Sequence, residues 1–146
     1  MATDDADHAM DSDETMTAMV QRQQLSIGFG CSSRASSDDI LRLIRTVLDP
    51  VPAGTGIATL DRRASIGEVV AEELKLRLVL FPSAVLAGIE AVTTRSVRAL
   101  AETQTANVAE AAALASLGPT AHLLVRQTKG HFCTCAVAAV DIAVQP

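Results

Sequence analysis

Aromatic side chains are scarce in this chain: it has no Trp, no Tyr and only three Phe. Proteins that bind single-stranded nucleic acid stack bases on aromatic platforms, and quaternary ammonium ligands sit in aromatic cages. So small a supply argues against both. Lysine is also rare, since ten of the twelve bases are Arg. Arg suits bidentate contacts to carboxylate or phosphate, but a GC-rich coding bias gives the same excess, so the place of each Arg matters more than the total. No apolar run reaches membrane-spanning length. The first residues are acidic where a signal peptide is basic, and no apolar segment follows them. With no leader, three Cys read as free thiols in a reducing compartment, and a cytoplasmic protein is expected rather than a stapled secreted fold.

What the chain does have is aliphatic. Hydrophobic residues make up 49% of its 146 residues, and 25 residues are Ala. That length is one domain with a real core. The net charge of −5 is uneven. Six acids (Asp4, Asp5, Asp7, Asp11, Asp13, Glu14) fall before residue 15 with no base among them. Residues 1–23 read as a disordered acidic tail, and 24–146 as a single domain whose charge is close to balanced. A neutral body lacks the basic footprint of a nucleic-acid binder.

Leu25 to Gly30 alternates apolar and small residues, a buried strand that stops at a Gly/Ser-rich loop. Ser37 is placed to cap a helix with Asp38 and Asp39 in its first turn, and Ile40, Leu41, Ile44, Val47 and Leu48 give that helix an apolar face. Gly56–Leu60 is a second strand. Ser65-Ile66-Gly67-Glu68 has the capping-box form and predicts a helix with the stripe Ile66, Val69, Val70 and Leu74. Arg77–Phe81 is a third strand, and Pro82-Ser83 opens a helix to about Val92. Thr93–Thr105 is ambiguous. Asn107-Val108-Ala109-Glu110 repeats the capping box ahead of an Ala-rich helix that Gly118-Pro119 ends. Ala121–Thr128 and Phe132–Val140 form a hairpin about Lys129-Gly130. This alternation predicts a three-layer α/β/α sandwich with a mixed, mostly parallel sheet ending in an antiparallel hairpin.

Gly28-x-Gly30 ends a strand, as in dinucleotide-binding folds, but the third Gly is missing and no phosphate-loop Lys follows. A tight strand-to-helix turn is the favoured reading. The loop Cys31-Ser32-Ser33-Arg34 still offers amides, hydroxyls and a guanidinium beside a helix start, which suits a carboxylate. Asp61-Arg62-Arg63 lies in an equivalent loop, and parallel strands bring such loops to one edge, so its bases either converge with Arg34 or are simply solvated. Cys31 is a candidate nucleophile, or a small residue in a crowded turn. His131-x-Cys133-x-Cys135 invites zinc, but alternate strand residues sit roughly 6.6 Å apart. A tetrahedral site needs closer ligands and a fourth, so no metal is expected. His122 reads as structural, and His8 belongs to the tail.

Three motifs occur in order: Gly28-x-Gly30-Cys31 with Arg34-Ala35, Ala58-Thr59-Leu60-Asp61-Arg62-Arg63-Ala64, and Asn107-Val108-Ala109-Glu110-Ala111-Ala112-Ala113-Leu114. Together they resemble the CobE family and the C-terminal domain of the cobalamin biosynthesis protein CbiG. Arg63 stands where that family usually has Lys, and Asn107 where it often has Gly-Ser. The resemblance implies a role in corrin-ring synthesis; with the anion-suited loops, binding of a polycarboxylate precorrin or corrin intermediate is expected, in the cytoplasm and with no cofactor. Ser32, Ser33, Arg34, Arg62, Arg63, Asn107 and Glu110 are then the candidate tetrapyrrole-binding residues. Two alternatives stay open. One is a hydrolase acting on a precorrin lactone, with Cys31 or Asp61 as its reactive group. The other is a non-catalytic partner of another pathway enzyme.

Overall fold

The computed structural model describes residues 23–94 and 108–142. The expected tail (Gln23 excepted), the ambiguous stretch beyond Thr94, and Asn107 lie outside these residues. The elements are β1 (Gln23–Cys31), α1 (Ser37–Val47), β2 (Gly56–Leu60), a 3-10 turn (Asp61–Arg63), α2 (Ala64–Leu74), β3 (Arg77–Phe81), α3 (Ser83–Thr94), α4 (Val108–Leu117), β4 (His122–Lys129) and β5 (Cys133–Asp141). Among the described residues they build one five-stranded sheet of order β3-β2-β1-β5-β4. β1, β2 and β3 run parallel, while β5 is antiparallel to both β1 and β4. The mixed α/β architecture expected from the sequence is the one found.

Residues alternate between the two faces of each strand. Ile27 and Phe29 of β1 join Ile57, Cys135 and Val137 in a core closed by Ile40 and Ile44 of α1 and Val70 of α2. Ala58 and Leu60 of β2 pack on the other face against Leu86, Val108, Ala111 and Ala112. Ala113, Leu114 and Ala138 extend that second layer. The Ala-rich helix therefore sits directly on the sheet. Gly28 makes this possible: a Cβ there would lie 2.0 Å from the Ala109 carbonyl oxygen. Gly28 is thus a seat for α4 inside β1, a role that neither reading of the Gly-x-Gly spacing contained.

Three local expectations are corrected. Ser36, not Ser37, caps α1. Its hydroxyl accepts from the Asp39 amide at 3.1 Å, and the Asp39 carboxylate accepts from the Ser36 amide at 3.0 Å. The capping box at Ser65 does not form. The chain enters α2 already coiled through the 3-10 turn, with the Ala64 amide donating to the Asp61 carbonyl, so Ser65 lies inside the helix. The expected stripe of α2 fails only at Val69, which is 52% exposed; Val70 is buried, Ile66 and Leu74 pack against the core, and Gly67 and Ala71 are buried beside them. Gly67 lies against Thr59 and Leu78, and this contact sets the rotation of the helix.

The hairpin is irregular. The β4–β5 register shifts between Leu123 and Val125 and again between Val125 and Thr128. The Gln127 amide donates instead to Glu110 Oε2 at 2.8 Å, which ties β4 to the first turn of α4. No described helix is long and apolar enough to cross a membrane.

Candidate functional site

A cleft of about 460 Å3 opens at the carboxyl ends of β1 and β2. The strand order turns back between β1 and β5, the place where open α/β sheets bind ligands. Gly30 and Cys31 end β1 at its floor, and Leu60 ends β2 beside them. Val108 brings the start of α4 to the rim, where the helix dipole favours negative charge. β4 runs parallel to β1, so its last residue, Lys129, reaches the same edge and lines the cleft with Gly130, Phe132, Cys133 and Thr134. A smaller depression of about 200 Å3 adjoins it and shares Cys31, Ser32, Ser33, Arg62 and Arg63.

The sheet thus brings together five of the residues picked from sequence, Cys31, Ser32, Ser33, Arg62 and Arg63. Ser32 and Ser33 lie in the loop after β1, and the Ser32 hydroxyl accepts from the Arg34 amide at 3.2 Å, which shapes that loop. The Ser32 amide donates to the Phe132 carbonyl at 3.0 Å, a contact between the loop and the hairpin tip. Arg62 and Arg63 come from the 3-10 turn. Arg63 Nε is buried with no hydrogen-bond partner in the structure. A buried donor of this kind is uncommon, and an acceptor bound in the cleft would satisfy it.

Not every candidate lines the cleft. Arg34 does not line the cleft; its guanidinium carbon sits 5.9 Å from the centre of the Phe132 ring. Asp61 is exposed and lines neither depression. The Glu110 carboxylate is engaged with β4 rather than with the cleft. Asn107 is outside the described residues. Cys31 is half-buried, and burial raises its thiol pKa while the neighbouring Arg63 pulls it down less strongly. It is a protonated thiol near neutrality, not an activated nucleophile. Cys133 lines the cleft and packs on the core beneath β5, where Cys135 is fully buried. His131 is exposed, with Nδ1 3.4 Å from Asp39 Oδ1. Among the described residues no cluster of three or more metal-ligating side chains occurs.

Lys129 and Phe132 escaped the sequence reading. Phe132 is 41% exposed and has a positive φ of 63°, an uncommon conformation for a bulky residue. Its ring stands 4.2 Å from that of His131, tilted by 51°. Three cations, Arg62, Arg63 and Lys129, therefore meet around one cleft, and none of the described lining residues is acidic.

Comparison with known proteins fixes the lineage. The sequence profile described as "Cobalamin synthesis G C-terminus" matches residues 25–138. The chain belongs to that family. Among solved structures it is similar to CobE, a protein from the cobalamin (vitamin B12) biosynthetic pathway. That chain is 27% identical over 81% of this chain and 94% of its own length, with a TM-score of 0.65. It is similar also to the cobalamin biosynthesis protein chiG of Agrobacterium tumefaciens str. C58, 25% identical over 78% of this chain and 96% of that one, with a TM-score of 0.58. A cobalamin biosynthesis protein G homolog from Sulfolobus solfataricus shares the fold at 24% identity and a TM-score of 0.56, and this chain covers 36% of its length. No curated protein sequence matches. Within the cobalamin synthesis G C-terminus family, this member's cleft is framed by Arg62, Arg63 and Lys129.

Proposed function

We propose that this protein binds a polycarboxylate corrin-ring intermediate of cobalamin biosynthesis in the cleft at the β1–β5 junction. The observation that carries the reading is the convergence of Arg62, Arg63 and Lys129 on a cleft whose described lining contains no acid. Like charges held together repel, and a carboxylate placed among them relieves that repulsion. Precorrins carry acetate and propionate groups around an apolar macrocycle. The cleft volume of about 460 Å3 lies within the usual range for small-molecule sites. A whole tetrapyrrole is larger, so the cleft takes one edge of it. The two arginines and Lys129 contact the carboxylate rim, Ser32 and Ser33 add hydroxyls, and Phe132, Leu60 and Val108 offer apolar contact.

Binding fits better than catalysis by the two reactive-group candidates. Asp61 is outside the cleft lining, and the Cys31 thiol is held protonated by burial. The test is a UV–visible titration of the full chain against late precorrins and corrin acids. Saturable spectral shifts that weaken as salt rises are expected. Spectra identical to those of the free compounds at every protein concentration refute the proposal. Recovery of another pathway enzyme in the absence of any corrin binding supports the partner role instead.

A further inference from the structure

Two of the three cysteines face one another across the sheet at the floor of the cleft. Cys31 ends β1, Cys133 begins β5, and they are direct register partners. The Ser32 amide donates to the Phe132 carbonyl at 3.0 Å. That bond flanks the pair and makes it a non-hydrogen-bonded antiparallel position. Cα atoms of such pairs lie about 4.5 Å apart, and side chains approach most closely there. A disulfide requires Cα separations of about 4.4–6.8 Å. Both side chains lie on the α1/α2 face of the sheet and both line the cleft. Cys135 is two residues further into the core on the same face, opposite Phe29 rather than a thiol. The alternative use of paired thiols, a metal site, lacks support, because no third ligating group joins them among the described residues.

We propose that Cys31 and Cys133 form a reversible cross-strand disulfide, a redox-sensitive modification site built into the cleft floor. The chemistry is exchange with a small disulfide. Cys31, the more exposed of the two and the one beside Arg63, loses its proton to water and attacks one sulfur of the oxidant, releasing one small thiol. Cys133 then loses its proton and attacks the Cys31 sulfur of the mixed disulfide, releasing the second small thiol. Two protein thiols are oxidised to one disulfide while the small disulfide is reduced to two thiols. Excess small thiol runs the same exchange backwards and reopens the bond, so the modification is reversible. Closure ties the end of β1 to the hairpin tip that carries Phe132, so it fixes two walls of the cleft. The inference stands on strand register and does not depend on the ligand proposed above.

The experiment uses the reduced full chain, glutathione disulfide at mildly alkaline pH, alkylation, and peptide mapping by mass spectrometry without reduction. Alkylated after unfolding in urea, the reduced protein offers three free thiols, Cys31, Cys133 and Cys135. After oxidation only Cys135 is expected to alkylate, with the peptides of Cys31 and Cys133 linked. Reductant should restore all three. The link should persist in Cys135→Ser and vanish in Cys31→Ser, a change at a half-exposed position that leaves the core intact. Three thiols still free, a lasting glutathione adduct on Cys31 beside a free Cys133, a link to Cys135, or a link between two chains each overturns the proposal.

Discussion

Replacing Gly28 by Ala tests the claim that this position seats a helix rather than a ligand. The added Cβ would stand 2.0 Å from the Ala109 carbonyl oxygen and 2.6 Å from the Ala113 amide nitrogen. Both obstacles are backbone, so no rotamer change clears them. Bringing the first contact to 3.0 Å requires α4 to lift by about 1 Å. A gap of that size forfeits roughly a quarter to a half of the dispersion attraction of the atoms it separates. The atoms concerned are those of Ala111, Ala112 and Ala113, all fully buried. Overpacking ordinarily costs 1–3 kcal/mol, and the rigid obstacle here puts Gly28→Ala at about 3 kcal/mol or above. That is a large share of the ~5–15 kcal/mol that holds a domain together. Two other glycines calibrate the scale. At Gly30 the nearest atoms are side chains of Thr134 and Val108 at 3.3 Å, so Gly30→Ala should cost less than about 1 kcal/mol. At Gly88, inside α3, nothing lies within 4 Å, so Gly88→Ala should gain about 0.5–1 kcal/mol from helix propensity. Urea midpoints at unchanged slope read all three. A Gly28→Ala midpoint equal to that of the parent, or a larger loss at Gly30 than at Gly28, refutes the reasoning.

Four further outcomes are expected. Arg62→Gln, Arg63→Gln and Lys129→Gln should each weaken corrin-acid binding about tenfold, the lower end of the ~1.5–3 kcal/mol range for charged hydrogen bonds because the cleft is open to water; Arg34→Gln should do less, and titration at two salt concentrations checks both. Glu110→Ala strands the Gln127 amide, so it should cost about 1–3 kcal/mol and speed hydrogen exchange at that amide. Burial pushes the Cys133 thiol up to about 11 and the Cys135 thiol to about 12, from an ordinary 9.0. Folded values above the unfolded one give stability that is complete below pH 9 and lost as pH rises toward 11–12; urea midpoints should fall over that window, less so in Cys135→Ala. Phe132→Gly relieves a left-handed backbone strain of about 1–2 kcal/mol while adding Gly's conformational freedom, so stability should change little while corrin affinity falls severalfold.

Much of the architecture is legible in the sequence because local chemistry and global fold agree. The alternation in Leu25–Gly30, the prolines after Leu48 and the Gly118-Pro119 stop each mark an element that exists. The misses are places where a tertiary contact outweighs a local signal. Val69 fits an apolar stripe by spacing, yet the contact of Gly67 with Thr59 and Leu78 turns it outward. Ser65 and Glu68 satisfy the capping-box pattern, yet a 3-10 turn already supplies the helix start. Leu43 lies outside the stripe read from spacing, yet it is buried, and a Cβ added at Gly130 would stand 3.0 Å from its Cδ2. No local pattern reveals that a hairpin closes over it.

The cleft divides along the same line. Ser32, Ser33, Arg62 and Arg63 could be picked because loops at the carboxyl ends of parallel strands share an edge, and β1 and β2 are adjacent. Lys129 and Phe132 could not, because their position depends on β5 inserting between β1 and β4 and turning the hairpin tip toward that edge. The aromatic count shows most clearly what composition cannot say. Three Phe suffice to argue against stacked recognition by number alone, and Phe29 is indeed fully buried. Phe132 is not. It sits exposed, in a conformation that Gly would hold with less strain, with the Arg34 guanidinium against its ring and the cleft below. Core packing does not account for a ring placed that way, whereas an apolar wall beside a cationic rim does. A scarce residue type is therefore no argument against a contact until topology has shown where its few members stand.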